Sequence, residues 1–276
     1  MTDLNPQAEQ MAAESMVRTL EAQTVAIWPQ EQVLFKRYAL PALQAAPAIL
    51  DAGCGTGEGT SRLAELFPRA QVKGIDIIDA HLARARERFG HIGSRLTFEH
   101  GDIYAIPAAD RSFDLTVCRH VLHAVPHAER VIAELVRVTR PGGYLHLIVE
   151  DYGMLHFERD GALDPDILWR AVTDEFSRAT NTDLVIGRHA FGLLTAAGLR
   201  EIKMDYIVVD TVRVPRSVFA SMLEAWRDGF VDPIGETTSL SRDQAVAYFN
   251  EMIAQVRDPR RYAAWVVPVA SARRPV

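Results

Sequence analysis

Short apolar runs and amphipathic stretches alternate along residues 48–150. The runs centre on Ile49-Leu50, on Val72 to Ile75, on Leu96 to Phe98 and on Phe113 to Cys118, each short enough for a strand covered on both faces. Leu135 to Val138 then reads as the end of a helix that leads through Thr139-Arg140-Pro141-Gly142-Gly143 into a fifth run. Strand and helix in alternation predict an α/β fold built on a doubly wound parallel sheet.

The flanks are less regular. Met11, Val17, Leu20, Val25 and Ile27 fall loosely at helical spacing, which predicts a helix over residues 7–27 ended by Pro29, and a shorter one follows through Val33, Leu34, Tyr38 and Leu40. Asp164 as N-cap and Pro165 at the first helical position predict a helix over 165–179. Another is expected over 187–197 with Gly198 closing it, then a sixth strand over 201–209 and a return strand over 262–270. Residues 214–257 read as an insertion of two helices, one carrying Phe219, Leu223 and Trp226, the other Val246, Phe249 and Ile253. The expected organisation is a helical lid segment over 1–47, a core over 48–213 and 258–276, and a helical insertion over 214–257 that contributes to a substrate cap.

Composition narrows the class. The chain has 276 residues, 48% hydrophobic, with a formal net charge of -6 and scattered basic residues, so a nucleic-acid partner is not expected. No apolar run is long enough to span a membrane. The first six residues lack a basic segment followed by an apolar run, and two cysteines, Cys54 and Cys118, suggest reduced thiols, so a cytoplasmic location is expected.

The chemistry starts at Asp51-Ala52-Gly53-Cys54-Gly55-Thr56-Gly57, where the first strand runs into a glycine-spaced turn and then a helix. Glycine permits positive φ and close approach of a ligand, and a helix N-terminus favours an electron-rich group. The dinucleotide fingerprint fails, because Glu58 stands where its third glycine belongs. The spacing G-x-G-x-G with Asp51 ahead of it resembles motif I of the class I S-adenosylmethionine-dependent methyltransferases. Val72 to Asp76, Gly101-Asp102-Ile103, Ser112 to Cys118 and Leu135 to Gly143 extend the resemblance in the family's order, toward its small-molecule, type 11 or type 25 branch.

The resemblance implies a Rossmann-like seven-stranded sheet of order 3-2-1-4-5-7-6 with strand 7 antiparallel and a helical cap. It implies S-adenosylmethionine as cofactor, leaving as S-adenosylhomocysteine, held by Asp51, Gly53, Gly55, Gly57, Asp76, Ile77, Asp102, Ile103 and Arg119. Asp76 would accept from the ribose hydroxyls and Asp102 from the adenine amine. Acceptor-site candidates follow strands 4 and 5: Arg119 to His123 and Glu150 to Tyr152. His120 is the candidate general base, since imidazole titrates in the useful range, with Glu150 and Asp151 as further candidates. His123 reads equally as pocket wall or structure. Trp28, Tyr38, Trp169, Phe219 and Trp226 suit either an aromatic pocket or ordinary core. No metal site is expected, as the histidines lack ligand spacing.

The expected activity is methyl transfer to an oxygen or nitrogen of a small organic acceptor, in specialised metabolism, by a monomer or homodimer. Three alternatives stay open: carbon methylation of a quinone-like ring, with Glu150 or Asp151 taking a ring proton; a regulatory protein that binds the cofactor without transfer; and a nicotinamide oxidoreductase.

Overall fold

The computed structural model describes Pro6 and residues 11–159 and 163–276; residues 1–5 and 7–10, the start of the expected lid segment and first helix, lie outside the described residues. Five parallel strands stand in the order β3-β2-β1-β4-β5: β1 (Ala48–Ala52), β2 (Gln71–Asp76), β3 (Leu96–His100), β4 (Phe113–Arg119) and β5 (Thr139–Ile148). Their apolar runs are covered from both sides, and Ile49, Leu50, Ile75, Leu115 and Val117 have no exposure to solvent. The crossovers are α2 (Glu58–Leu66), α3 (Asp79–Phe89) and α4 (Ala128–Val138).

The sheet continues with β8 (Ala264–Arg273), which lies antiparallel between β5 and β7 (Arg200–Asp210). This is the expected seven-strand order, with β7 and β8 as its sixth and seventh strands. An eighth strand of two residues, β6 (Leu155–His156), pairs with Trp265 and Ala264 beyond the end of β5. Two residues carry too little periodicity to be read from sequence. The expected turn before strand 5 is also absorbed: β5 begins at Thr139, and Pro141-Gly142-Gly143 sits within it at a shift of register against β4.

Pro29 does not end the first helix. Helix α1 runs from Glu14 to Leu34 and passes into a π turn over Phe35–Ala39, so the two helices expected here are one. Proline removes only the hydrogen bond to the carbonyl of Val25, an exposed residue, while Ala26, Ile27, Glu31 and Leu34 are buried and hold the segment to the body. Tertiary packing outweighs the local break.

Downstream, α5 (Pro165–Ala171), capped by Asp164, continues through a π turn over Val172–Phe176 into α6 (Ser177–Thr180). Helix α7 (Ile186–Ala196) is followed by Gly198 at φ 78°. Residues 214–257 hold α8 (Arg216–Thr237) and α9 (Arg242–Arg257), the latter started by a capping box of Ser241 and Gln244. These helices share one core with α1 and α5 through Ile27, Trp169, Phe219, Trp226 and Phe249, built on Trp265 of β8. Among the described residues no helix is long and apolar enough to cross a membrane.

Candidate active site

The glycine turn leaves the carboxyl end of β1 with Gly53 at φ 73°, Gly55 at φ 54° and Gly57 at φ 85°. At Gly53 a Cβ would stand 2.4 Å from Val121, and at Gly55 2.9 Å from Leu20 of α1, so the positive φ favours glycine at both and side chains close over each. Asp76, ending β2, holds the turn from the side: one oxygen accepts from the Gly55 amide at 2.8 Å, the other from the Ile78 amide at 2.9 Å. Burial raises its pKa, and the two amides act against that rise.

Of the residues singled out in the sequence, Gly53, Gly55, Asp76, Ile77, Asp102, Ile103, Arg119 and His120 line one cavity with about 790 Å³ of free space, its mouth included. Ile77 is 38% exposed, an apolar side chain left open within an otherwise covered wall. Asp76 supplies carboxylate oxygens for hydroxyl donors, and Ile77 and Ile103 supply apolar surface for a flat ring. These groups fit a nucleoside with a sulfonium tail. Three further lining residues, Leu20, Tyr104 and His81, carry no sequence expectation. His81 is 2% exposed and its Nε2 has no hydrogen-bond partner among the described residues, so it is available to a ligand. Its only signal is its place in the first turn of the helix that follows Asp76.

Asp51 and Gly57 stand behind this wall. Asp51 is buried and its Oδ2 accepts from Thr60 Oγ1 at 2.7 Å and from Arg119 Nη2 at 3.3 Å. Arg119, whose side chain is 11% exposed, also meets Glu31 of α1 at 3.5 Å, and Glu31 accepts from His146 Nε2 at 3.2 Å. Burial opposes the guanidinium charge, but Asp51 and Glu31 outweigh it and raise its pKa. Gly59 makes room for this cluster, since a Cβ there would lie 1.3 Å from Arg119 Nη2.

Glu150 follows β5 and is fully buried. Its Oε1 meets His120 Nδ1, and its Oε2 lies 2.7 Å from His123 Nδ1. Burial raises the Glu150 pKa, yet the two imidazoles hold it far below the ordinary carboxylate range. Each ring is thereby fixed through Nδ1, which leaves Nε2 as the atom available for proton exchange. His120 takes φ 59°, a conformation that non-glycine residues adopt where surroundings enforce it. It lines the first cavity, whereas His123 lines a second one with Tyr152, Trp169 and Trp226, so those two tryptophans border a cavity while Phe219 lies in the core. Asp151 lines neither: it accepts from Arg188 Nε at 2.5 Å and from the Gly153 amide at 2.9 Å.

Residues 49–143 match the family model described as a methyltransferase domain. The chain is 38% identical over 97 residues to a phthiotriol/phenolphthiotriol dimycocerosates methyltransferase of Mycobacterium ulcerans, a match covering 35% of each protein. It is 37% identical over 107 residues to the 27-O-demethylrifamycin SV methyltransferase of Amycolatopsis mediterranei, covering 38% of this chain and 39% of that one. These matches therefore span little more than a third of the length of either relative. The fold resembles a phosphoethanolamine N-methyltransferase 2 of Haemonchus contortus, solved with S-adenosylhomocysteine, with TM-score 0.63 at 17% identity, over 100% of this chain and 61% of that one.

Gly59→Ala tests the ion cluster. Alanine gains about 1 kcal/mol of helix propensity over glycine, but the guanidinium must leave Asp51, and a buried charge stripped of its partner costs about 3 kcal/mol or more. Net destabilisation in urea unfolding is expected; equal or greater stability would show that the cluster is not required. Glu150 gives a pH signature. Its depressed pKa contributes stability above the ordinary value of 4.5 and loses it as pH falls through the folded value. The stability advantage over Glu150→Gln should be largest near neutrality and shrink in urea titrations below that value.

Proposed function

We propose, for a chain whose residues 49–143 are a class I S-adenosylmethionine-dependent methyltransferase domain, that it transfers a methyl group to an oxygen or nitrogen atom of a small organic acceptor. The observation that carries this reading is His120, set on the wall of the cofactor cavity and oriented from behind by Glu150. Asp76, Ile77, Asp102, Ile103 and His81 would hold the nucleoside, and the Arg119 side of the cavity the amino-acid end. When bound, S-adenosylmethionine supplies an electrophilic methyl carbon on a sulfonium. The protein's role is positioning and proton management: the turn and α1 exclude water, and His120 Nε2 takes the acceptor's proton while Glu150 stabilises the resulting imidazolium.

The competing readings fare less well. Carbon methylation needs a base for a ring proton, but both oxygens of Glu150 are engaged by imidazoles and Asp151 is engaged by Arg188. A purely regulatory binder has no use for a second cavity bordered by the partner imidazole of the same carboxylate.

Calorimetric titration with S-adenosylmethionine and S-adenosylhomocysteine, followed by mass spectrometry of an acceptor library, tests the proposal. Binding with a methyl mass gain is expected, and no binding of either form would overturn it. Asp76→Ala should weaken cofactor binding by about 1 to 3 kcal/mol through lost hydrogen bonds to a charged group. His120→Ala should lower turnover by about 10²-fold or more with little change in cofactor affinity; undiminished turnover would remove it as base.

A further inference from the structure

The two cavities flanking Glu150 differ in chemistry. The second has about 440 Å³ of space outside the protein atoms, its open mouth included. Its wall includes Tyr152, Trp169, Trp226, Phe230 and Phe249, with His123 the only titratable group besides Tyr152 among the described residues. The rings of Tyr152 and Trp169 lie 21° from parallel at 5.7 Å between centroids. Trp226 stands at 67° to Tyr152 and 84° to Trp169, and Phe249 at 84° to Trp169. Faces and edges at near right angles offer stacking and edge contacts to a flat ring together.

The polar inventory is short. Among the described residues no Lys, Arg, Asp or Glu lines the chamber. The indole N–H of Trp169 is buried without an acceptor among the described residues, and an unpaired buried donor favours a ligand oxygen. The Tyr152 hydroxyl is kept protonated, first by burial and then by the charge of Glu150. An ammonium would meet the same ring faces but no free carboxylate. The cation–π gain of about 2 kcal/mol falls short of the cost of burying an unpaired charge.

We propose that this chamber is the acceptor site and that the acceptor is a neutral, flat aromatic compound bearing a hydroxyl. The inference rests on the methyl-transfer reading and names its substrate class. The ring lies among Tyr152, Trp169 and Trp226, with the hydroxyl directed past His123 toward His120, the two imidazoles being tied to each other through Glu150. In the transfer the O–H bond breaks and its proton goes to His120 Nε2. The oxygen forms a bond to the methyl carbon as the C–S bond of S-adenosylmethionine breaks with its electron pair left on sulfur. The products are an aryl methyl ether and S-adenosylhomocysteine.

Binding of 2-naphthol to the full chain without cofactor, followed by tryptophan fluorescence and calorimetry, tests the chamber independently of catalysis. Saturable binding is expected, weakened about tenfold in Trp226→Ala, with S-adenosylhomocysteine affinity within twofold of the parent. Phe230→Ala, a half-buried position, serves where Trp226→Ala fails to fold and should weaken naphthol in the same direction. With S-adenosylmethionine added, 2-methoxynaphthalene should appear by mass spectrometry. No saturable naphthol binding, or tighter binding of phenyltrimethylammonium with the same dependence on Trp226, would overturn the proposal. The methyl-transfer reading would still stand if the cofactor binds and a non-aromatic acceptor gains a methyl.

Discussion

Arg119 is withdrawn from water between two carboxylates that belong to distant regions of the chain, Asp51 at the end of β1 and Glu31 in α1. A buried guanidinium is tolerable only with its partners in place, and each partner is tolerable only with it. The glycine turn, the end of β4 and the N-terminal helix are therefore held to one another by a charge balance that no single member can leave. Thr60 and His146 add hydrogen bonds to Asp51 and Glu31, while Asp51 Oδ1 and Arg119 Nε have no partner among the described residues. Because Leu20 of the same helix closes on Gly55, the position of α1 and the shape of the cofactor turn are set together.

At the end of the neighbouring strand β5, Glu150 has the corresponding role. It is a buried carboxylate held by two imidazoles that line different cavities. A single carboxylate thus fixes the orientation of both rings. The two cavities are thereby tied to one buried carboxylate.

The features legible in the sequence are those whose signal is local. The five parallel strands show as apolar runs because both faces of each are covered, and the glycine spacing shows because Gly53, Gly55 and Gly57 take positive φ within the turn. Pro29 misleads because its cost is local whereas the burial of Ala26, Ile27 and Leu34 depends on packing across the molecule. Gly59 is unreadable for the same reason: its neighbour is Arg119, far along the chain. The chamber takes Tyr152, Trp169, Trp226 and Phe249 from separate segments, and each alone is indistinguishable from an ordinary core aromatic. His81 and the pairing of Glu150 with His123 need the fold to bring them to a cavity.

Strand β8 lies between β5 and β7 and supplies Trp265 beneath the aromatic cluster. The half of the sheet that carries the cofactor turn is built from a contiguous stretch, residues 48–148. The other half cannot close until residues 264–273 reach it. During synthesis the half built from β1 to β5 is therefore free to assemble while the edge of β5 stays unpaired, and the half with β7 and β8 is the last to form. That interval, set by long-range pairing, is when the chain is most open to edge-to-edge association with other copies of itself.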